Sequence, residues 1–355
     1  MSAVKVLPAA ASTGGQQMPD NRQTPGRPEI SPMRRILRRA GSSTPIYMTG
    51  VLIALVILFT ALAPTTFPTL ANGINILAGS ATLLVMATAV TYVMVAGGID
   101  LSIGSVLVFA NVLAAKTMEA LGTNNVMTVV VGFAVALGAG LFWGIFNGLC
   151  ITRLHVPALI TTLGTLGAVL GLADVITNGN DLRDVPSTVV ALETGSLFGL
   201  SWLIWIAILV VVVGGLALGL TRFGRNTYTV GSNEEAARRG GVNVDRHLLK
   251  LYALSGLLAG LAGMMDLVRF TTTSIGGHTT DFLVVITGVV LGGISLYGGI
   301  GSVIGAVVGI AISQVLDNGF IVLNVQPFWQ QVAIGFVLIA AVYFDQLKRR
   351  RRDLA

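Results

Sequence analysis

Gly97-Gly98-Ile99-Asp100-Leu101-Ser102-Ile103-Gly104-Ser105 interrupts an apolar region that runs from about Ile74 to Met118. A bilayer-crossing helix needs ~20 residues, so a region of this length holds two crossings rather than one. The interruption carries glycines, a carboxylate and hydroxyls. An Asp at the centre of a spanning helix costs about 3 kcal/mol on insertion scales, so Asp100 needs an explanation. It either lies at the membrane surface in a tight turn joining two helices, or belongs to a bent segment inside the membrane.

The surrounding composition fixes the class. The chain of 355 residues is 54% hydrophobic and 11% charged, with mean hydropathy +0.81. Soluble domains are about a quarter charged, so this is an all-α, polytopic membrane protein. The 44 glycines suit helices that pack closely in lipid. The one cysteine, Cys150, excludes a disulfide framework and a Cys-based metal site. A net charge of +6 and a pI near 9.8 raise the question of nucleic acid, but the placement of the charges points to membrane orientation instead.

Residues 1–45 are polar, with Pro, Gly, Gln and Arg and no apolar period, and read as a disordered basic tail rather than a signal peptide. Spanning runs follow at about 46–63, 74–96, 101–118, 127–150, 156–177, 202–221, 250–270, 281–297, 299–318 and 327–346, giving about ten helices within a membrane domain over 46–346. With the N-terminus inside, 19 of the 22 basic residues fall on the cytoplasmic side, including Arg222, Arg225, Arg238, Arg239 and the tail 347–355. The positive-inside rule then places both termini in the cytoplasm. Trp202, Trp205 and Trp329 fall at outer helix ends, as interfacial anchors do, and Asp100 comes out near the cytoplasmic side.

Two loops are long. Residues 178–201 face outward and suit a short surface helix or a docking face. Residues 222–249 face inward and contain Asn233-Glu234-Glu235-Ala236-Ala237-Arg238-Arg239-Gly240-Gly241. Ser232 or Asn233 supplies an N-cap, the acidic pair favours the start of a helix, the arginines favour its end, and the glycines stop it. A capped helix of about two turns in a cytoplasmic loop is built for contact with a partner, or else is simply a solvated loop helix. Gly97-Gly98-Ile99 and Gly298-Gly299-Ile300 begin two similar stretches, a weak sign of duplication.

There is no G-x-x-x-x-G-K-[ST] for ATP, no metal spacing among His155, His247 and His278, and no G-x-S-x-G. The segments outside the membrane are too short for a catalytic domain, so an enzyme acting alone is not expected, nor is a bound cofactor. Intramembrane ionisable residues are Asp100, Asp174, Asp266 with Arg269, and Asp317. Asp266 and Arg269, at i and i+3, are expected to neutralise each other, and Asp174 to border a polar cavity. So few mid-membrane carboxylates lean against an ion-coupled secondary transporter, which stays open beside a non-transporting scaffold.

Four blocks, in order, resemble the permease subunits of bacterial ABC importers for monosaccharides of the ribose/xylose/galactose type. They are VMVAGGIDLSIGSVL (93–107), WGIFNGLCITRLHVPALITTLGTL (143–166), RNTYTVGSNEEAARRGGVNV (225–244) with LYALSGLLAGLAGMM (251–265), and VVLGGISLYGGIGSVIGAVVG (289–309). The resemblance covers about residues 46–346. It implies a permease in the inner membrane that moves a monosaccharide from the periplasm to the cytoplasm by alternating access. The pore would be shared with a second copy or a related permease. A cytoplasmic ATP-binding subunit would hold ATP and Mg2+, and a periplasmic or lipid-anchored protein would deliver the sugar. A furanosyl signal molecule or a cyclic polyol is the related cargo. Asn233, Glu234, Glu235, Ala236, Ala237, Arg238, Arg239 and Gly240 would form the coupling helix against the ATPase. Gly97, Gly98, Asp100, Ser102, Asn147 and Thr161 match polar or glycine positions of the blocks, where they would line the path or form a helix junction. Taken with the topology, the 97–105 stretch reads as a mechanical joint first and a sugar contact second.

Overall fold

The computed structural model describes residues 44–326 apart from 184 and 279, together with positions 329, 332, 335, 336, 339 and 343. The basic tail expected at 1–45, except for its last two residues, which begin the first helix, the tail at 347–355 and most of a tenth span at 327–346 lie outside the described residues. Within them the chain is helical: α1 Thr44–Leu62, α2 Leu70–Val95, α3 Ile103–Leu121, α4 Val126–Thr152, α5 Ala158–Thr177 and α6 Ser187–Thr194. A two-stranded ribbon follows, β1 Ser196–Leu197 with β2 Leu200–Ser201. The remaining helices are α7 Trp202–Leu220, α8 Arg222–Ser232, α9 Glu234–Arg239, α10 Val244–Phe270, α11 Asp281–Leu291 and α12 Val303–Val322.

Many helix starts are set by local chemistry. Thr69, Asn125, Ser201, Thr221 and Ser302 each accept a backbone N–H of the first turn through a side-chain oxygen, satisfying a donor that lipid cannot. Seven helices, α2–α5, α7, α10 and α12, are long and apolar enough to cross a membrane. Two shorter apolar helices, α1 and α11, accompany them.

Helices α2, α3 and α10 form the centre, where Val85, Leu107, Ala259 and Met264 are fully buried. Helix α10 packs on α3, α4 and α2. Its seam with α4 is made of glycine. A Cβ at Gly140 would collide with the Gly256 carbonyl, one at Gly144 with the Tyr252 carbonyl, and one at Gly260 with the Ala136 carbonyl. No hydrophobic force separates helices from lipid tails, so such van der Waals proximity is what joins them. Helix α3 lies on α10 in parallel, with Asp100 opposite Ser255 and Asn111 opposite Asp266.

One expected span is corrected. The segment 281–297 is apolar enough to read as a crossing, but its helix ends at Leu291, at roughly half the length a bilayer demands. Gly293, Gly298, Gly299 and Gly301 take positive φ, which turns the chain back on itself before α12 begins. The start of α11 does not lie beyond the end of α3. A Cβ at Gly104, in the first turn of α3, would stand 3.4 Å from the His278 carbonyl and 3.5 Å from the Phe282 nitrogen. The segment between α10 and α11 therefore descends along α3, and α11 starts inside the bundle.

Candidate functional site

The polar end of the bundle holds α8 and α9. Helix α9 is built as its sequence dictates: the Asn233 side chain accepts from Ala236 N at 2.8 Å, Glu234 and Glu235 occupy the first turn, and Gly240 follows the last. Arg238 bonds Glu234 at 2.9 Å and Asp245 at 2.6 Å, and Arg239 pairs with Glu235. The bonds to Asp245 and Glu234 hold the Arg238 guanidinium pKa above its ordinary value. These pairs are exposed, so each adds little stability. Ala237 is the anchor: with Val230 and Val244 it buries the inner face of α9. The outer face presents Glu235, Arg238 and Arg239 to solvent. Helix α8 is the element that sequence reasoning missed. Its polar, apolar and glycine residues lack a run long enough to stand out, yet Thr221 caps it and Tyr228 Oη donates to the Gly301 carbonyl at 2.7 Å.

Helix α8 ends in a three-way glycine junction. A Cβ at Gly231 would fall on the Val95 carbonyl at the end of α2. One at Gly298 would stand 2.8 Å from both the Gly231 carbonyl and the Gly97 Cα. Gly299 N donates to the Val95 carbonyl at 2.8 Å. The two Gly-Gly-Ile stretches, far apart in sequence, thus meet at one point beneath α8. Gly97, Gly298 and Gly299 hold φ values of 85°, 83° and 75°, which only glycine adopts without strain.

Asp100 is not at the surface. The turn ends at Gly98, and the chain then folds inward, so Asp100 is 3% exposed. Its Oδ1 accepts from Ser102 N at 3.0 Å and Ser102 Oγ at 2.7 Å, and its Oδ2 from Ser255 Oγ at 2.6 Å. Ser102 Oγ accepts from Asn147 Nδ2 at 2.8 Å, and Asn147 Oδ1 accepts from Thr165 Oγ1 at 2.6 Å. Tyr252 Oη donates to the Ile99 carbonyl at 3.3 Å. The structure therefore gathers Asp100, Ser102 and Asn147 into one network joining α3, α4, α5 and α10. Gly97 belongs to the junction, and Gly98 lies between, its Cα packed toward Tyr252 Oη. Thr161 stands apart: it is 8% exposed, and its hydroxyl has no hydrogen-bond partner.

Asp174 is exposed on α5. One expectation about charge is revised. Asp266 and Arg269 attract each other, but the bonds of the carboxylate go elsewhere: its Oδ2 accepts from Asn111 Nδ2 at 3.1 Å and lies 3.0 Å from His278 Nε2. The other nitrogen of that ring, Nδ1, is 2.8 Å from Asp281 Oδ2. Asp266 was legible as an intramembrane carboxylate. Its partner was not, because His278 returns to it through a polar stretch, Thr271 to Thr280, that reads as an ordinary outer loop. Trp143, mid-span, packs edge-to-face with Phe109, Phe142 and Phe146.

Residues 72–342 match the family described as branched-chain amino acid transport system / permease component. The L-arabinose transport system permease protein of Escherichia coli (strain K12) is 38% identical over 311 residues, 85% of this chain and 92% of that one. The galactose/methyl galactoside import permease protein of the same organism is 32% identical over 326 residues, 86% of this chain and 95% of that one. The autoinducer 2 import system permease protein of Yersinia enterocolitica is 33% identical over 265 residues, 74% of this chain and 72% of that one. No solved structure matches.

Proposed function

We propose, because this chain belongs to the branched-chain amino acid transport system / permease component family, that it works as the membrane-spanning subunit of an ATP-driven importer for a monosaccharide. It is a multi-pass protein of the bacterial inner membrane, of a family that is not itself an ATPase. The named cargo of its relatives, L-arabinose, galactose or methyl galactoside, and autoinducer 2, supports a small polyhydroxylated solute. In this reading ATP and Mg2+ are held by a cytoplasmic ATP-binding subunit, a binding protein delivers the sugar from outside, and a second permease copy or a related one completes the pore.

One observation carries the mechanism: α9 is an exposed, doubly capped helix anchored by Ala237 beside the glycine junction. Closure of the ATPase, pushing on α9, reaches α8 first. Through Gly231 it then reaches the end of α2, the turn into α3 and the loop into α12. Backbones in direct contact transmit displacement without a flexible side chain to absorb it. ATP does the work by binding more tightly to the closed arrangement than to the open one. The test is sugar uptake in proteoliposomes holding the permease, its ATPase and its binding protein, with Glu235→Arg. Reversal of that exposed charge is expected to abolish uptake. Uptake at the wild-type rate with the ATPase still bound would overturn the assignment, and failure of an ATP-binding subunit to co-purify would overturn the importer reading itself.

A further inference from the structure

The interior contains two polar groups of opposite character. Around Asp100, every buried side-chain oxygen and nitrogen of Asp100, Ser102, Asn147, Thr165 and Ser255 has a partner. A saturated network of this kind stiffens a fold and has nothing left to offer a solute. The second group lies where α11 begins inside the bundle. Asn111 from α3, Asp266 from α10, and His278 and Asp281 at the start of α11 are joined there by hydrogen bonds, with Arg269 of α10 and Asp317 of α12 within electrostatic reach. Asn111 is 1% exposed and gives one amide hydrogen to Asp266, while its Oδ1 has no hydrogen-bond partner. An unmet acceptor at that depth costs about 1–3 kcal/mol, so it is retained for a reason. Irregular backbone inside a membrane protein is tolerated where it lines a cavity, and broken helices mark solute sites in transporters.

We propose that this cluster is a binding station for a neutral polyhydroxylated solute on the translocation path, with Asn111 Oδ1 accepting a solute hydroxyl. The inference rests on the monosaccharide reading above and gives it a location. The His278 ring has a carboxylate at each nitrogen and satisfies both only by carrying two protons. Asp266, Asp281 and Asp317 then face Arg269 and one imidazolium, which leaves no net positive charge to select an anion. The described residues hold no group arranged for a metal ion. What remains is a mixture of acceptors and donors around an orphan oxygen, which suits hydroxyl groups. Asp266 and Asp281 hold His278 in place until a solute competes for those bonds.

The test uses the complete importer in proteoliposomes, with radiolabelled L-arabinose and D-galactose as probes. Asn111→Leu roughly keeps the volume and deletes the oxygen together with the amide donor to Asp266. Sugar moved per ATP hydrolysed is expected to fall about tenfold, with binding-protein-stimulated hydrolysis unchanged. An unchanged ratio overturns the site, and a parallel fall of both activities marks a structural role and overturns it too. If Asn111→Leu does not assemble, Asn111→Cys in a Cys150→Ser background carries the question. A water-soluble thiol reagent is expected to label it in at least one nucleotide state, more slowly with sugar present. No labelling in any state, or labelling that neither sugar slows, overturns the proposal. Wild-type vesicles that accumulate neither of these sugars, nor D-ribose or D-xylose, overturn the monosaccharide reading instead.

Discussion

At the scale of single residues, the sharpest contrast is between what a carboxylate's neighbours leave it free to do. Asp100 binds three donors and ties α3 to α10. Asp100→Ala strands Ser255 and Ser102 in the interior, and is expected to lower stability by ~1–3 kcal/mol. Thermal unfolding of the detergent-solubilised protein measures it, and Asp100→Asn, which keeps one acceptor oxygen, should lose less. A variant as stable as wild type would show that the network holds nothing together. The sequence marked Asp100 and Ser102 in one block and Asn147 in another as path or junction residues and put Asp100 near the cytoplasmic side, but it gave no sign that the carboxylate is buried among helices. Topology counts residues along the chain, and a turn of three residues at Ala96–Gly98 is enough to send the next carboxylate back into the bundle. Asp266 was visible for the opposite reason, as charge in an apolar run, but i,i+3 spacing pointed only to Arg269 and not to the Asn111 and His278 contacts. Helical neighbours are legible in sequence; a His brought back by a loop is not.

At the scale of elements, close backbone contact is the recurring device. Gly256 on α10 meets the Gly140 carbonyl and the Gly144 Cα of α4. Gly256→Val has no flexible neighbour to displace, so the helices must separate. The expected loss is about 1–3 kcal/mol or failure to assemble, read by the yield of folded protein on size exclusion and by its melting temperature. Gly231→Val acts at the other contact, against the Val95 carbonyl. There the expected outcome is ATP hydrolysis that persists while sugar uptake is lost, measured side by side in the same vesicles. Tight coupling in that variant would show that force does not pass through the junction. Helix existence was legible almost throughout, since apolar runs of this length have few alternatives in lipid. Helix length was not legible for α11: Ile294 and Leu296 continue its apolar character, while the positive φ of Gly293 and Gly298 ends it.

At the scale of the whole molecule, the distribution of basic residues predicts orientation. In a Cys150→Ser background, Ser232→Cys beside α9 is expected to react with a membrane-impermeant thiol reagent only after the cells are opened. Phe198→Cys, at the exposed tip of the ribbon, should react in spheroplasts from outside. The reverse pattern would invert the topology and leave α9 beyond the reach of any cytoplasmic partner. Family membership was legible from four short blocks because glycine and polar positions in lipid are set by packing and hydrogen bonding, not by the solute.

The α4–α10 seam divides the labour of movement. Two helices whose carbonyls rest against each other's glycine Cα atoms cannot slide past one another without climbing over those contacts. They must travel as a single block, carrying the Asp100 network with them. Opening and closing of the interior then falls along a different slip plane, where the descending segment and the start of α11 meet α3, away from the glycine junction that ties the loop before α12 to the end of α2. A cross-link within the block would leave transport running, whereas one across that plane would lock it.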